Sequence, residues 1–211
     1  MTPPNDHDAL QEHIDLYGMT TATAAARVVC GCDHRRALAG LESLVRDGRL
    51  FRYGKVYSPK PTPPKPRDRW HDLAILSYCC LGNRPRPRIP SERLAAALDG
   101  PAKKLSQRSP ANKPCIFDRH DRLARLWVEP YTDDPDGAPL GDVLAILQRS
   151  ARGRAFQVWA YLALSGDFTI LVLCRGRARA DELERWLARA PLVGQAGPET
   201  VEVPVSTAAI Q

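Results

Sequence analysis

The sequence predicts an α/β protein built from two domains. Helical periodicity dominates the first sixty or so residues, whereas helices and strands alternate from Trp70 onward. Residues 59–69 are rich in proline and cations and predict an extended linker, because proline removes the backbone N–H that helices and sheets require. We therefore expect a helical domain over residues 1–58 and an α/β domain with a mixed sheet over residues 70–211.

Length and composition exclude several classes of protein. With 211 residues, 44% of them hydrophobic, the chain can bury one ordinary core or two small ones. It has no apolar run of the roughly 18 residues that cross a bilayer, and we expect no export signal at its N-terminus. These features predict a cytoplasmic protein with no membrane partner, and no small-molecule ligand is evident.

The six cysteines predict free thiols, because they form no paired C-x2-C blocks and the chain is expected to stay in a reducing compartment. Cys30, Cys32 and His34 are the one cluster that resembles a metal-ligand set. A fourth ligand is missing from this cluster, and C-x-C is a poor chelate for one ion. We therefore expect no metal and no cofactor.

The first domain begins with three predicted helices. Apolar side chains recur at spacings of three and four, and cap or stop residues flank each segment. Thr20 or Thr21 caps the second helix, Asp33 caps the third, and Gly48 supplies the left-handed stop after the third. The three helices are expected over residues 8–17, 22–29 and 34–47.

The third helix has two distinct faces. Its buried stripe is expected to contain the apolar residues within about 60° of Leu41, which are Ala37, Leu38, Leu41, Leu44 and Val45. The opposite face carries arginines and small residues, namely Arg35, Arg36, Ala39, Ser43 and Arg46. With no acid on its centre line, this face suits insertion into a DNA major groove. His34 points toward the apolar side and is expected to pack or cap rather than contact bases.

Residues 49–57 predict a short hairpin around Gly54. Leu50 and Val56 are expected to face the core. Arg52 and Lys55 are then free to meet phosphates.

Three helices followed by a small hairpin resemble the winged helix-turn-helix family, over about residues 8–58. Because proteins of that family touch DNA through the third helix and the hairpin, the resemblance implies double-stranded DNA as a partner. Winged helices also dock proteins, and an ordinary solvated face is the alternative interpretation of the arginines. The candidate DNA-binding residues are Thr21, Arg35, Arg36, Ala39, Ser43, Arg46, Arg52 and Lys55.

The formal net charge of +6 is unevenly distributed. Residues 61–128 carry 14 Lys+Arg against 6 Asp+Glu, whereas residues 129–211 carry 8 against 11. Clustered cations raise the affinity for polyanions by releasing counterions. The basic middle of the chain therefore predicts either a polyanion partner or a solvated Pro/Arg linker.

The second part of the chain predicts an α/β sandwich with a mixed sheet. Ser91 is expected to cap the helix over residues 92–98, and residues 115–129 predict two strands around His120 and Asp121. Residues 70–81 predict a buried helix or, as the alternative, a strand. Further helices are expected over residues 140–150 and 180–190, and further strands over residues 156–164, 168–174 and 201–205.

This order of elements, after a winged helix and a basic linker, resembles the replication-relaxation family of mobile elements. The resemblance is carried by His71-Asp-Leu-Ala-Ile, by Phe117-Asp118 and by Trp127-Val-Glu129. It implies that the second domain has a restriction-endonuclease-like fold.

A catalytic site of that fold needs two acids and a lysine that hold a divalent cation and a water. Asp118 and Glu129 have the spacing of such acids, and Glu92 could be a third. Tyr131 stands where the lysine belongs, and it cannot supply that cation. The resemblance therefore implies an inactive version of the nuclease fold.

A cation from nearby, Lys113 or Arg125, keeps a metal-dependent nuclease open as an alternative. The same segment carries Arg119 and Arg122, and ion pairing with such arginines explains the acids without a metal. We expect the protein not to be an enzyme.

The predicted function is that of a sequence-specific DNA-binding protein, a transcriptional regulator of a plasmid, integrative element or phage. A replication or conjugative-mobilisation accessory protein that binds an origin is the alternative with the same DNA chemistry. A homodimer is expected, because a two-fold dimer matches a palindromic or repeated site. Residues 168–174 and 180–190 are candidate dimer surfaces and equally good candidates for the core.

Overall fold

The structure, a computed structural model of the chain, describes residues 6–82, 85–118, 121–132, 139, 142, 145, 154–187 and 199–202. Over these residues the protein is mixed α/β, with helices and two small sheets, one of them mixed, which confirms the predicted class. None of the described helices combines the length and apolar character that crossing a membrane requires. The described residues divide into two compact units, an N-terminal unit up to Pro87 and a C-terminal unit from Arg88.

The N-terminal unit consists of four helices and a three-stranded antiparallel sheet. The helices are α1 (Asp6–Tyr17), α2 (Ala22–Val28), α3 (His34–Arg46) and α4 (Pro66–Cys80). The strands are β1 (Thr20–Thr21), β2 (Phe51–Tyr53) and β3 (Val56–Ser58), in the order β1-β3-β2. The three predicted helices and the hairpin are thus confirmed, and β1 is a short addition that the sequence did not indicate.

The predicted caps account for where the helices begin and end. The Thr21 hydroxyl accepts the backbone N–H of Ala24, and the Asp33 carboxylate accepts that of Arg36. Gly48 has φ +70°, a left-handed conformation that L side chains rarely adopt, and it follows directly on the end of α3.

A close approach of α1 to α3 fixes which face of α3 is buried. A Cβ on Gly40 would lie 2.6 Å from Cδ1 of Leu10, so any larger residue here would force the Leu10 side chain to move. The buried residues of α3 are Ala37, Gly40, Leu41 and Leu44. The buried face of α3 therefore includes Gly40, and Leu38 lies on the flank of the helix. Leu38 is 38% exposed, so the prediction that it is buried is wrong.

Helix α4 belongs to the N-terminal unit, whereas the sequence assigned residues from Trp70 onward to the second domain. It begins at Pro66, which suits the first turn of a helix, so the stretch without regular structure after β3 spans residues 59–65. Its side chains are buried around most of its circumference, as Trp70, Ile75 and Cys79 show. Such a helix needs apolar neighbours, and α1 and α2 supply them.

The C-terminal unit consists of helices packed on a mixed four-stranded sheet. The helices are α5 (Ser91–Lys104), α6 (Arg154–Leu164) and α7 (Arg177–Leu187). The strands are β4 (Cys115–Phe117), β5 (Leu123–Val128), β6 (Phe168–Cys174) and β7 (Glu199–Glu202). They lie in the order β4-β5-β6-β7, with β4 antiparallel to β5 and the other pairs parallel, which confirms the predicted mixed sheet.

The predicted strand over residues 156–164 is wrong, because this segment lies in α6. Val158, Trp159 and Leu162 recur at helical spacing and pack into the core with Phe168. The register of the sheet gives the physical reason, since β5 and β6 are parallel and parallel neighbours need a long crossover rather than a hairpin.

Two other expectations about helices change. The N-cap of α5 is Pro90, and Ser91 is the first helical residue and makes no capping bond. The helix also runs beyond the predicted end at residue 98, to Lys104. The predicted helix over 140–150 lies outside the described residues except for 142 and 145, which are helical, and residues 188–190 and 203–205 also lie outside them.

Candidate nucleic-acid interface

The outward face of α3 carries two arginines separated by small residues. Arg35 and Arg46 are exposed, Ala39 is exposed between them, and Ser43 is half-buried on the edge of the same face. The two arginines are eleven positions apart in the chain, which places them about 20° apart around the helix and about 16 Å apart along it. Within the described part of the chain, neither arginine has an ion-pair partner.

Arg36 is held by another helix. Its Nε and Nη2 both donate to the carboxylate of Asp6, at the start of α1. The Arg36 hydrogen bond lowers the pKa of Asp6, so the carboxylate stays charged. Arg36 lies about 100° around α3 from Arg35, on the side toward α1. Its side chain is 56% exposed, but its guanidinium is already paired with a carboxylate.

The hairpin is tied to α3 through Glu42. Nη1 of Arg52 donates to Oε1 of Glu42 over 2.9 Å, and the hydroxyl of Tyr57 donates to the same oxygen over 2.7 Å. Burial, followed by this hydrogen bond, raises the pKa of Tyr57 to about 12. Arg52 is therefore already paired, which corrects the prediction that it is free to meet phosphates.

Glu42 also corrects the description of the helix face. It lies seven residues after Arg35, only about 20° away around the helix, so an acid does stand beside the centre line. The ion pair with Arg52 compensates its charge. The remaining hairpin cation, Lys55, is exposed next to Gly54 and has no ion-pair partner among the residues described.

Thr21, His34 and Arg49 complete the surroundings of this face. Thr21 is half-buried, and its hydroxyl oxygen serves as the cap of α2 over 3.2 Å. His34 is exposed rather than packed, on the same flank of α3 as Leu38, so the expectation that it packs is wrong. Arg49 is exposed between α3 and β2. It was not among the predicted DNA-binding residues, although its position directly after Gly48 places it next to the end of α3.

The two acids proposed for a nuclease site do not meet. Asp118 pairs with Arg122 just before β5, over 2.8 Å, whereas Glu129 pairs with Arg179 just after β5, over 2.6 Å. The six residues of β5 separate these positions by about 20 Å. Glu92 is exposed on α5. The described residues include no group of three or more His, Cys, Asp or Glu side chains that could hold a metal ion.

The cysteines near α3 do not form a ligand set either. Cys30 is buried and Cys32 is exposed, and both are free thiols. Burial raises the pKa of Cys30, which disfavours the thiolate that binds metals.

The candidate dimer surfaces serve the interior of the C-terminal unit. Strand β6 is paired with β5 on one side and with β7 on the other, so its backbone is not open to a second chain. The apolar side chains Ala180 and Leu183 of α7 are buried in a cluster with Val172 and Cys174 of β6. Over their described residues, the two segments therefore match the alternative interpretation, in which they belong to the core.

Comparison with protein-family models, curated proteins and solved structures finds no match for this chain.

Proposed function

We propose that the N-terminal unit is a winged helix-turn-helix that binds double-stranded DNA in a sequence-specific manner. The order of its elements supports this interpretation, because α2 and α3 are followed by the β2–β3 hairpin and β1 completes a small sheet with it. In such a unit, the second helix of the helix-turn-helix enters the major groove with its first residues at the base edges. Here that helix is α3.

The observation that carries the proposal is the pair of exposed arginines on the outward face of α3, neither of which has an ion-pair partner among the described residues. Arg35 lies in the first turn, where base contacts are made, and an arginine can donate two hydrogen bonds to guanine. Arg46 lies in the last turn, about 16 Å further along the axis, which exceeds the groove width of about 12 Å. We therefore assign Arg35 to base contact and Arg46 to the phosphate backbone.

The small residues between the arginines support close approach. Ala39 adds only a methyl group at the centre of the face, and Ser43 adds a hydroxyl that can donate or accept. Lys55, at the tip of the hairpin, can reach a flanking phosphate. Arg36 and Arg52, paired with Asp6 and Glu42, hold α1 and the hairpin in place instead.

We further propose that the protein is a transcriptional regulator, with the C-terminal unit supplying dimerisation or partner binding. The nuclease alternative receives no support from the positions of Asp118 and Glu129 at opposite ends of β5. Two statements remain predictions from the sequence. One is that the chain belongs to the replication-relaxation family, and the other is that it regulates a mobile element.

Selection from random-sequence duplex DNA tests the proposal. The purified protein is incubated with the pool at fixed, near-physiological salt, because phosphate contacts make affinity salt-dependent, and the bound fraction is sequenced. We expect an enriched motif, as a palindrome or direct repeat if the protein is a dimer. A folded protein that enriches no motif would contradict sequence-specific binding.

A further inference from the structure

Helix α5 presents a basic stripe on the surface of the C-terminal unit. The stripe consists of Arg93, Ala97, Gly100 and Lys104, whose spacings of four, three and four positions place them on one side of the helix. All four residues are exposed. Arg93 and Lys104 form the two ends of the stripe, about 20° apart around the helix and about 16 Å apart along it.

No carboxylate of α5 lies on the basic stripe. Glu92 and Asp99, the two acids of this helix, lie about 100° or more around the helix from Arg93. Neither Arg93 nor Lys104 forms an ion pair within the part of the chain that the structure describes. Residues 100–117 hold four cations and no Asp or Glu, and the neighbouring helix α6 has no acid either, so the positive charge of the stripe is not compensated.

Lys104 is held in position by α6. Its Nζ donates to the hydroxyl of Tyr161 over 3.1 Å and lies 5.5 Å from the centre of the Tyr161 ring. This contact restricts the lysine without neutralising it, because a hydroxyl carries no charge and the ammonium has two further donors. A cation that is already held loses less conformational entropy on binding than a freely moving lysine.

We propose that the basic stripe of α5 is a second contact surface for double-stranded DNA. The distance of about 16 Å between its ends exceeds the major-groove width of about 12 Å, so Arg93 and Lys104 can reach phosphates on both sides of a groove. Ala97 and Gly100 between them permit close approach. A protein partner is disfavoured, because the stripe has no apolar side chain larger than a methyl group to anchor one.

The basic stripe differs from the outward face of α3 in what lies between its cations. The two arginines of α3 are also eleven positions apart, but Glu42 stands there at the place that Gly100 occupies in α5. Ala97 and Gly100 offer no side-chain hydrogen bond to a base edge. The stripe therefore contacts phosphates without a preference for sequence. This inference goes beyond the proposed function, because it does not require the N-terminal unit to bind DNA.

A salt titration with a duplex of mixed sequence tests the stripe. The duplex has about 20 base pairs, or two helical turns, and fluorescence anisotropy measures the affinity of the full chain from about 50 to about 200 mM salt. Arg93→Ala with Lys104→Ala should reduce the slope of log affinity against log salt by about 1.8, the change for two phosphate contacts. A wild-type slope in this alanine pair would overturn the proposal.

Lys103→Ala with Arg185→Ala is the matched control. Both residues are exposed on the C-terminal unit. Lys103 lies about 100° around α5 from Lys104 and four positions after Asp99, on the side of the helix that carries the acids. This control pair removes the same charge outside the stripe and should leave the slope unchanged. Equal reductions in the two pairs would indicate an effect of net charge and overturn the location.

Arg93→Lys with Lys104→Arg tests whether charge is the cause. These substitutions keep both cations on the stripe while changing both side chains. We expect the wild-type slope, because the number of phosphate contacts is unchanged. A reduction as large as that of the alanine pair would mean that the slope does not depend on the charges, and it would overturn the proposal.

Single-stranded DNA of the same length identifies the form of nucleic acid that the stripe contacts. A single strand lacks the two rows of phosphates on either side of a groove, so the alanine pair should reduce its slope less than that of the duplex. A larger reduction on the single strand would overturn the assignment to double-stranded DNA.

Selection from random-sequence duplex DNA separates this inference from the proposed function. A chain that selects no motif, but whose slope on the mixed duplex falls in the alanine pair, would overturn the proposed function alone. A chain that selects a motif and keeps the wild-type slope in the alanine pair would overturn this inference alone.

Discussion

His13 in the N-terminal unit and Glu129 in the C-terminal unit are buried ionisable groups that are stabilised in opposite ways. The N-terminal unit buries His13, whose pKa burial lowers to about 4, and hydrogen-bonds its Nε2 to the Thr20 hydroxyl over 2.9 Å. The C-terminal unit buries Glu129 and keeps it paired with Arg179 over 2.6 Å. His13 is thus held neutral, whereas Glu129 is held within an ion pair.

In both units, some cations are paired with carboxylates and others are not. On the N-terminal unit, Arg35, Arg46 and Lys55 are exposed and have no ion-pair partner in the described residues. On the C-terminal unit, Arg122 and Arg177 pair with carboxylates four residues away along the chain. A count of cations along the sequence therefore does not predict which surface is positively charged. That depends on which cations are paired with carboxylates in the fold.

The basic middle of the chain illustrates the point. Its excess of cations over residues 61–128 is divided between the two units, which separate after Pro87. Arg86 donates to the Tyr78 hydroxyl, and Arg122 pairs with Asp118. The unpaired cations of α3 lie in the first sixty residues, where the count of charges is nearly balanced.

Removing the buried charge of the C-terminal unit should have the largest effect. Glu129→Gln leaves Arg179 without its buried partner, and we expect the free energy of unfolding to fall by about 3 kcal/mol. Urea denaturation followed by tryptophan fluorescence measures it, since three of the four tryptophans lie in this part of the chain. DNA affinity should not change.

The control is Glu182→Gln, which removes the second, more exposed partner of the same arginine. A loss below about 1 kcal/mol is expected there, because solvent screens that pair. Equal losses in the two variants would mean that burial does not distinguish the two carboxylates.

The buried histidine should make the N-terminal unit sensitive to acid. The pKa of His13 is about 4 in the folded state against 6.5 for the free side chain, so the unfolded chain takes up the proton first as the pH falls. Stability is therefore fully present above about pH 6.5 and declines toward about pH 4, by roughly 3 kcal/mol in total.

His13→Gln tests this origin of the acid sensitivity. Glutamine can still hydrogen-bond to Thr20 but does not titrate, so the unfolding free energy should change less between about pH 7 and about pH 4.5 than in the wild-type chain. An identical pH dependence in both chains would assign the effect to other groups.

Adjacent arginines on α3 should separate DNA contact from stability. Arg35→Ala is expected to weaken binding to a selected duplex by about 1–3 kcal/mol and to relax the preference at one base position. Arg36→Ala should mainly loosen α1, through loss of the Asp6 pair, and change DNA affinity less. Fluorescence anisotropy with the two variants measures both affinities, and the reverse order would contradict the assigned faces.

The hairpin lysine should give the smallest effect. Lys55→Ala is expected to weaken binding to all duplexes alike and to reduce the slope of log affinity against log salt by about 0.9, the change for one phosphate contact. Lys103→Ala, which removes an exposed lysine from the C-terminal unit, should leave the slope unchanged. A slope that responds to both lysines would indicate a general charge effect.

Local signals predicted the elements that local interactions define. The caps at Thr21 and Asp33 and the stop at Gly48 depend on neighbours within four residues, and all three are as the sequence indicated. Residues 156–164 were predicted as a strand because their apolar residues can be read with a period of two or of nearly four. Only the parallel pairing of β5 with β6 decides between these periods.

The sequence predicted where the candidate site lies but not which of its arginines form ion pairs. The pattern of α3 indicated the outward face, whereas the Asp6–Arg36 pair joins residues thirty positions apart. The Arg52–Glu42 pair likewise depends on where the hairpin packs.

Two double variants with equal loss of charge test the central claim most directly. The first combines Arg35→Ala with Arg46→Ala and removes both arginines from the outward face of α3. The second combines Arg177→Ala with Arg185→Ala and removes two exposed arginines from α7. Binding to a selected duplex at near-physiological salt should fall about tenfold or more for the α3 pair and remain at the wild-type level for the α7 pair. Equal losses for the two pairs would contradict DNA recognition by α3.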